Sequence, residues 1–119
     1  MNFIHGKYEN NVFTSLDGSL TVKVSENDAK ALDNHGSDVV LGIRPEHLVY
    51  GKAKENNVTV KVTGIEMLGS ETVIYSLLGE NSISIKTDKA VNGDATEVEV
   101  SFDNSKFYFF DEKTTLRIK

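Results

Sequence analysis

Polar side chains that could bind a ligand or a partner follow directly on an apolar run in the segment Leu41-Gly42-Ile43-Arg44-Pro45-Glu46-His47-Leu48. Arg44 carries five N–H donors, which suit carbonyl groups or a carboxylate at a strand end. Pro45 cannot continue a strand ladder, and Glu46 can accept from backbone N–H groups or pair with Arg44. These residue types predict either a polar staple at the corner of a small barrel or a direct contact with a ligand or partner.

A second segment, Gly64-Ile65-Glu66-Met67-Leu68-Gly69-Ser70-Glu71-Thr72, places two glycines around a short apolar stretch. A polar turn follows the second glycine. One interpretation is a β-bulge followed by a tight connection between two strands. The other is an exposed loop that contacts another subunit, with Gly69, Ser70, Glu71 and Thr72 as its contact residues.

Patterns typical of catalysis, cofactors and metal sites are missing from the sequence. It has no cysteine, no phosphate-binding G-x-x-x-x-G-K-[ST] loop and no G-x-S-x-G elbow. His5, His35 and His47 lie far apart, with none of the short spacings that metal sites favour. Glu97 and Glu99 share one face of a strand, which is common on solvated strands. We therefore predict no catalytic, cofactor-binding or metal-ligating residue, and no enzyme activity.

Charge limits the classes of partner. The 119 residues include 13 basic and 18 acidic side chains, a formal net charge of -5, and no three basic residues are consecutive. Nucleic acid and anionic membranes attract a basic stripe, so we expect neither nucleic-acid binding nor direct membrane insertion. No apolar run is long enough to span a bilayer and no signal pattern opens the sequence, which predicts a cytoplasmic protein.

Alternation with a period of two residues indicates β-strands throughout. It is seen in five runs: Leu20 to Val24, Val58 to Val62, Ile83 to Ile85, Val98 to Phe102 and Leu116 to Ile118. Val39-Val40-Leu41 and Phe107-Tyr108-Phe109-Phe110 are apolar on both faces, as in fully buried strands or strands covered by a partner.

Signals for turns, a bulge and a helix between these runs complete the prediction of the fold. The alternation changes phase at Gly64, which indicates a bulge, and Asp17-Gly18 is a hairpin signal. Glu26 to Leu32 is the one helical segment, with Ser25 as its N-cap. The sequence predicts an all-β protein, a small barrel or sandwich of about eight or nine short strands with one short helix.

Four stretches, in order, resemble the C-terminal regulatory domain of the ATPase subunits of sugar-importing ABC transporters, of the maltose and multiple-sugar type. They are Met1-Asn2-Phe3-Ile4, Leu41 to Leu48, Glu66 to Thr72 and Phe109 to Ile118. The resemblance spans the chain. It implies one domain over residues 1–119, a transport-associated (TOBE) β-barrel of the oligonucleotide/oligosaccharide-binding (OB) or MOP-like type.

The resemblance also implies what this domain does. It would be a non-catalytic extension that tethers two ATPase subunits and, in some members, docks regulatory proteins. ATP and Mg²⁺ would belong to an ATPase domain preceding residue 1, so no cofactor is expected in this chain. The expected partners are a second copy, through the parent subunit, and membrane-embedded permease subunits, at the inner face of the cell membrane.

Residue roles carried over by the resemblance are few. Arg44, Pro45 and Glu46 match the family hallmark, with a structural or interface role, and Gly69, Ser70, Glu71 and Thr72 match a subunit-contact motif. The same domain type also serves polyamine and iron importers, and related barrels bind oxyanions such as molybdate. A nucleic-acid-binding barrel is the third alternative, with aromatic residues at Phe107 to Phe110 but few basic neighbours.

Overall fold

The computed structural model describes all 119 residues and is dominated by extended backbone. Its ten strands are β1 (Asn2–Glu9), β2 (Val12–Ser15), β3 (Thr21–Lys23), β4 (Asp38–Ile43), β5 (Leu48–Tyr50), β6 (Asn57–Leu68), β7 (Glu71–Leu78), β8 (Asn81–Thr87), β9 (Glu97–Phe102) and β10 (Tyr108–Asp111). One α-helix, α1, spans Glu26–Asp33, and 3-10 helices span Pro45–His47 and Asn104–Lys106. The all-β class with one short helix is confirmed. The eight residues of α1 are too few to cross a membrane, and no other helix is longer.

The chain divides into two compact units. Unit 1 comprises Met1–Ile43 and Asn104–Lys119, and unit 2 comprises Arg44–Asp103. Unit 1 holds a sheet in the order β10-β4-β1-β2-β3, and unit 2 holds a sheet in the order β5-β9-β6-β7-β8. Every pairing in both sheets is antiparallel.

Unit 1 is organised by aromatic rings on the inner face of its sheet. The rings of Phe13 and Phe107 each lie 6.0 Å from that of Phe109, and all three side chains are buried. α1 adds Leu32 to this core. Ser25 caps the helix, because its Oγ accepts from the N–H of Asp28 at 3.2 Å, as the sequence predicts.

Unit 2 contains the predicted bulge. The β6–β7 register shifts between Val62 and Gly64, so that Thr63 has no partner opposite it. The extra residue explains the phase change in the sequence, since Ile65 then lies on the same sheet face as Val62. The prediction of a bulge at Gly64 is confirmed.

Two strand predictions at the C-terminal end are wrong in part. Phe107 and Phe109 are buried, but Tyr108 and Phe110 point to the other face and are half-buried. The run is therefore not a fully buried strand, and its alternative interpretation, a strand covered by a partner, stays a prediction. The run Leu116 to Ile118 forms no strand and makes one β-bridge, between Arg117 and Phe110.

Candidate functional site

The hallmark segment lies at the start of unit 2. β4 ends at Ile43, and Pro45 begins a 3-10 helix, so the predicted strand end at Pro45 is confirmed. The N–H of His47 donates to the carbonyl of Arg44 at 2.9 Å, and the N–H of Leu48 donates to that of Pro45. The side chains of Arg44 and Glu46 are exposed. Both side chains therefore belong to a turn that backbone hydrogen bonds hold.

The second motif is a hairpin between β6 and β7. Leu68 pairs with Glu71, which leaves Gly69 and Ser70 as a two-residue turn. Gly69 has a φ of 74°, and Ser70 has an ordinary negative φ. This combination is that of a type II′ turn, which requires glycine at its first central position. The bulge and tight connection predicted from the sequence are thus confirmed, and the contact of this loop with another subunit stays a prediction.

The tip of this hairpin exposes two large apolar side chains. Met67 is 60% exposed and Leu68 is 54% exposed, although the two lie on opposite faces of β6. Most exposed apolar residues on a protein surface are single, and two adjacent ones at a protruding turn are a candidate contact point.

One cleft of unit 2 brings the two motifs together. It has a volume of about 570 Å³, and Glu46 of the first motif lines it together with Ser70 and Glu71 of the second. Lys86 of β8 lies on the same cleft, with its Nζ 3.7 Å from Glu71 Oε2. Residues that the sequence places far apart thus share one polar cleft because the 3-10 helix packs against β8.

Not all of the predicted site residues share this position. Arg44, Pro45, Gly69 and Thr72 do not line the cleft. Thr72 pairs with Met67 on one side and with Thr87 on the other. Thr72 therefore lies within β7, just after the turn.

The outer face of the unit 1 sheet is a second candidate surface. The register places Phe3 of β1 and Tyr108 of β10 on either side of Gly42 in β4. A Cβ built at Gly42 would lie 2.8 Å from Met1 Sδ and 2.9 Å from Phe110 Cε2, so these side chains cover the glycine directly. The absence of a side chain at Gly42 lets apolar groups pack flat against the backbone.

This apolar face is open to solvent. Phe3 is 54% exposed and Met1 is 44% exposed, and the Phe3 ring makes an edge contact with Phe110 at 5.8 Å. Phe3, Val40 and Phe110 line a hollow of about 340 Å³, with His5, Asp111, Glu112 and Thr115 around it. We call Met1, Phe3, Val40 and Phe110 the apolar face. A cluster of solvent-exposed rings is typical of an interaction site.

A hydrogen-bonded pair borders this region of unit 1. His35 Nε2 lies 2.7 Å from Asp111 Oδ2, and the side chains are 22% and 30% exposed. Asp111 Oδ1 also accepts from the N–H groups of Thr114 at 2.7 Å and Lys113 at 2.9 Å. The Thr114 N–H, followed by the His35 ring, lowers the pKa of Asp111 to about 2. The two N–H groups hold the turn after β10, and His35 links that turn to the segment after α1.

Several of these residues escaped the sequence analysis. His35 and Asp111 are 76 positions apart, and no local spacing links them. Phe3 and Phe110 belong to strands that are separated in sequence and joined only through β4. The visible signal was the apolar run at Phe107 to Phe110, for which a covering partner was one of the two interpretations. No group of three or more acidic or histidine side chains is arranged to hold a metal ion.

Known proteins resemble the whole chain. The MalK OB fold domain family matches residues 1–48, and the TOBE domain family matches residues 41–110. The chain is 33% identical to the oligosaccharides import ATP-binding protein MsmX of Bacillus subtilis and 31% identical to the multiple sugar-binding transport ATP-binding protein MsmK of Streptococcus mutans, over its full length in both cases. It is 26% identical, over 96% of its length, to the sulfoquinovosyl glycerol transport ATP-binding protein SmoE of Agrobacterium fabrum.

The extent of these matches defines what they establish. The chain spans about a third of the length of the curated relatives it matches. The matched part is the OB and TOBE region, which is non-catalytic in these proteins. Since the TOBE match alone covers more than half of the residues, the chain belongs to the TOBE domain family, with a MalK-type OB fold at its N-terminal end.

Proposed function

We propose that this chain is the non-catalytic C-terminal regulatory and dimerisation domain of the ATP-binding subunit of a carbohydrate ABC importer. In this role it tethers two ATPase subunits and docks regulatory proteins. ATP and Mg²⁺ act in the ATPase domain of the parent subunit, which works with permease subunits at the inner face of the cell membrane. The names of MsmX, MsmK and SmoE support carbohydrate as the cargo, in preference to the polyamine or iron cargo of other importers with this domain type.

The apolar face of unit 1 carries this proposal. Phe3 and Met1 are about half exposed and rest, with Phe110, on the bare backbone of Gly42. Burying one aromatic side chain at an interface contributes several kilocalories per mole at most, so a small patch of rings gives a weak and reversible contact. Such a contact suits a tether, because two subunits that are also joined elsewhere need only a modest second attachment.

Sedimentation equilibrium of the chain over a range of concentrations tests the proposal. We expect a reversible dimer, and we expect Phe3→Asp to weaken it by about tenfold or more, because a carboxylate would be buried against a second apolar face. Leu68→Asp introduces the same charge at an equally exposed apolar position of unit 2 and is the matched comparison.

The two variants separate the two candidate surfaces. Loss of the dimer in Leu68→Asp alone would move the contact to the β6–β7 hairpin, as the Gly69 to Thr72 motif predicts. A wild-type chain that stays monomeric at every concentration would contradict the proposal that it carries its own pairing surface.

A further inference from the structure

Strand β5 has an open edge within unit 2. It is the first strand of its sheet and pairs only with β9. The N–H of Gly51 donates to the carbonyl of Glu99 at 2.8 Å. Since backbone groups of successive residues point alternately to the two sides of a strand, this bond shows which residues of β5 face β9. Backbone groups of Leu48 and Tyr50 therefore point away from β9, towards the open edge.

Two of the four groups on this edge are already used. The N–H of Leu48 donates to Pro45, and the carbonyl of Tyr50 accepts from Lys89 Nζ at 2.9 Å. The carbonyl of Leu48 and the N–H of Tyr50 remain. These two groups flank Val49. One residue of a parallel extended segment could form hydrogen bonds to both of them, and so could two alternate residues of an antiparallel segment.

The cleft described above lies along this edge. Leu48, Val49 and Tyr50 line it, and the opposite wall comes from the end of β8 and the two residues after it, Asp88 and Lys89. β8 is the other edge strand of the same sheet. The cleft is open to solvent along this edge and has a volume of about 570 Å³.

The charges of the cleft select the kind of peptide. Lys86 lies near Glu71, and Lys89 is held by the Tyr50 carbonyl. The carboxylates of Glu46 and Asp88 form no hydrogen bond or ion pair within the chain. The cleft lining carries three carboxylates and two ammonium groups, a net charge of -1. A cationic side chain therefore fits beside Glu46 and Asp88, and the net charge of -5 steers basic partners towards the chain.

We propose that this cleft binds an extended segment of a partner protein that carries lysine or arginine, by adding it as a strand to the open edge of β5. Main-chain hydrogen bonds to Leu48 and Tyr50 align the segment, and Glu46 and Asp88 receive its basic side chains. The inference rests on the docking half of the proposed function and gives the chemistry of the docked partner. It also gives Glu46 of the hallmark motif a role at an interface.

Fluorescence anisotropy with defined peptides tests the proposal. The probe is a labelled hexapeptide, blocked at both ends, with alternating valine and lysine. We expect saturable binding, and binding at least about tenfold weaker for the peptide in which glutamate replaces lysine. Two further peptides carry the lysines but have N-methyl groups on alternate amides, one peptide for each of the two possible phases. Loss of binding in one phase is expected, because strand addition needs the amide hydrogens of one edge.

Paired variants of the chain give the second arm. Glu46→Gln combined with Asp88→Asn removes the two free carboxylates, and we expect the lysine peptide to bind about fivefold to tenfold more weakly. Glu97→Gln combined with Glu99→Gln removes the same charge from exposed positions of β9 that do not line the cleft. This control should bind the peptide within about twofold of the wild type.

Each result has a definite meaning. Equal weakening in the two double variants would reduce the effect to net charge and overturn the assignment of the cleft. Full binding of both N-methylated peptides would overturn strand addition. None of the four substituted residues belongs to the apolar face of unit 1. A chain that dimerises but binds no peptide therefore contradicts this inference alone, and a monomer that binds the peptide contradicts only the pairing proposal.

Discussion

The two units expose different kinds of surface, and the difference begins at their glycines. In unit 1, Gly6 and Gly42 have no room for a side chain, because rings of Phe13 and Phe110 pack against them. In unit 2, Gly64 sits at a bulge, and a Cβ there would meet Tyr75 only at ordinary contact distance, 3.7 Å. Unit 1 thus uses glycine to seat aromatic rings on its sheet, whereas unit 2 uses it to change the direction of a strand.

This difference extends to what each unit can bind. The apolar face of unit 1 offers rings and a thioether with few charges, and so fits another apolar surface. The cleft of unit 2 offers an open strand edge and carboxylates, and so fits a polar, extended partner. The two proposals therefore assign two different kinds of contact to one small domain.

The largest expected effect concerns Gly6 of unit 1, against which the ring of Phe13 packs. Gly6→Ala would place a Cβ against the carbonyl oxygen of Thr14 and 2.5 Å from Phe13 Cζ. Backbone cannot give way as a flexible side chain can, so we expect a loss of about 3 kcal/mol or more in the free energy of unfolding. Urea denaturation followed by circular dichroism measures it.

Gly64→Ala is the control for that substitution. Its new methyl group would touch Tyr75 without overlap, and Gly64 does not have a positive φ, so the loss should stay below about 1 kcal/mol. An equal loss of unfolding free energy at the two positions would contradict the difference that we describe between the glycines of the two units.

Local signals explain which parts of the fold were predictable. The phase change at Gly64, the Ser25 cap and the strand end at Pro45 each depend on neighbouring residues, and each is confirmed. β1 gave no such signal, because Asn2 and Gly6 occupy inward positions where apolar side chains would mark a strand. Its hairpin with β2 was also missed.

That hairpin had a readable signal. Asn10 and Asn11 both have positive φ, 50° and 67°, and form the two-residue turn between Glu9 and Val12. Asparagine tolerates this conformation better than most residues, so an Asn-Asn pair between two alternating runs indicates a type I′ turn. The turn residues were thus informative, even though the strand residues were not.

The candidate surfaces depended on sheet order, which the sequence does not show. The motifs around Glu46 and Glu71 were both visible, but their meeting in one cleft follows from the packing of the 3-10 helix against β8. Likewise, Phe3 and Phe110 meet because β4 lies between their strands. The family resemblance supplied the motifs, and only the topology supplied their grouping.

A smaller effect concerns the pH dependence of unit 1. Asp111 has a pKa of about 2 in the folded chain and an ordinary value of 3.8 without its partners. The unfolded chain therefore binds the proton first as pH falls, so the stabilisation is complete above about pH 4 and disappears as pH approaches 2. Asp111→Asn should lower stability at pH 7 and flatten its decline between these pH values.

The measurement is the urea midpoint at several pH values from neutral to about 2.5. Asp38→Asn is the matched control, since Asp38 lines a second hollow of unit 1, of about 230 Å³, together with His35 and Asp111, but pairs with Lys7 on the exposed surface. A decline in Asp111→Asn as steep as that in Asp38→Asn would contradict the role of the His35–Asp111 pair.

The smallest expected effect lies in the cleft of unit 2. Lys89 closes part of the β5 edge with a side chain, by donating to the Tyr50 carbonyl at 2.9 Å. Lys89→Met keeps the length of the side chain but removes the donor and the charge. Stability should change by less than about 0.5 kcal/mol, because the side chain is exposed and its hydrogen bond competes with water. The lysine hexapeptide should nevertheless bind about twofold to fivefold more tightly, since the Tyr50 carbonyl becomes available and a like charge is lost.

Lys52→Met is the control for this variant. Lys52 is also exposed in unit 2 but does not line the cleft, so the substitution should leave the affinity unchanged. A gain of equal size in Lys52→Met would attribute the effect to net charge, whereas a gain confined to Lys89→Met would identify the open edge of β5 as the place where the peptide lies.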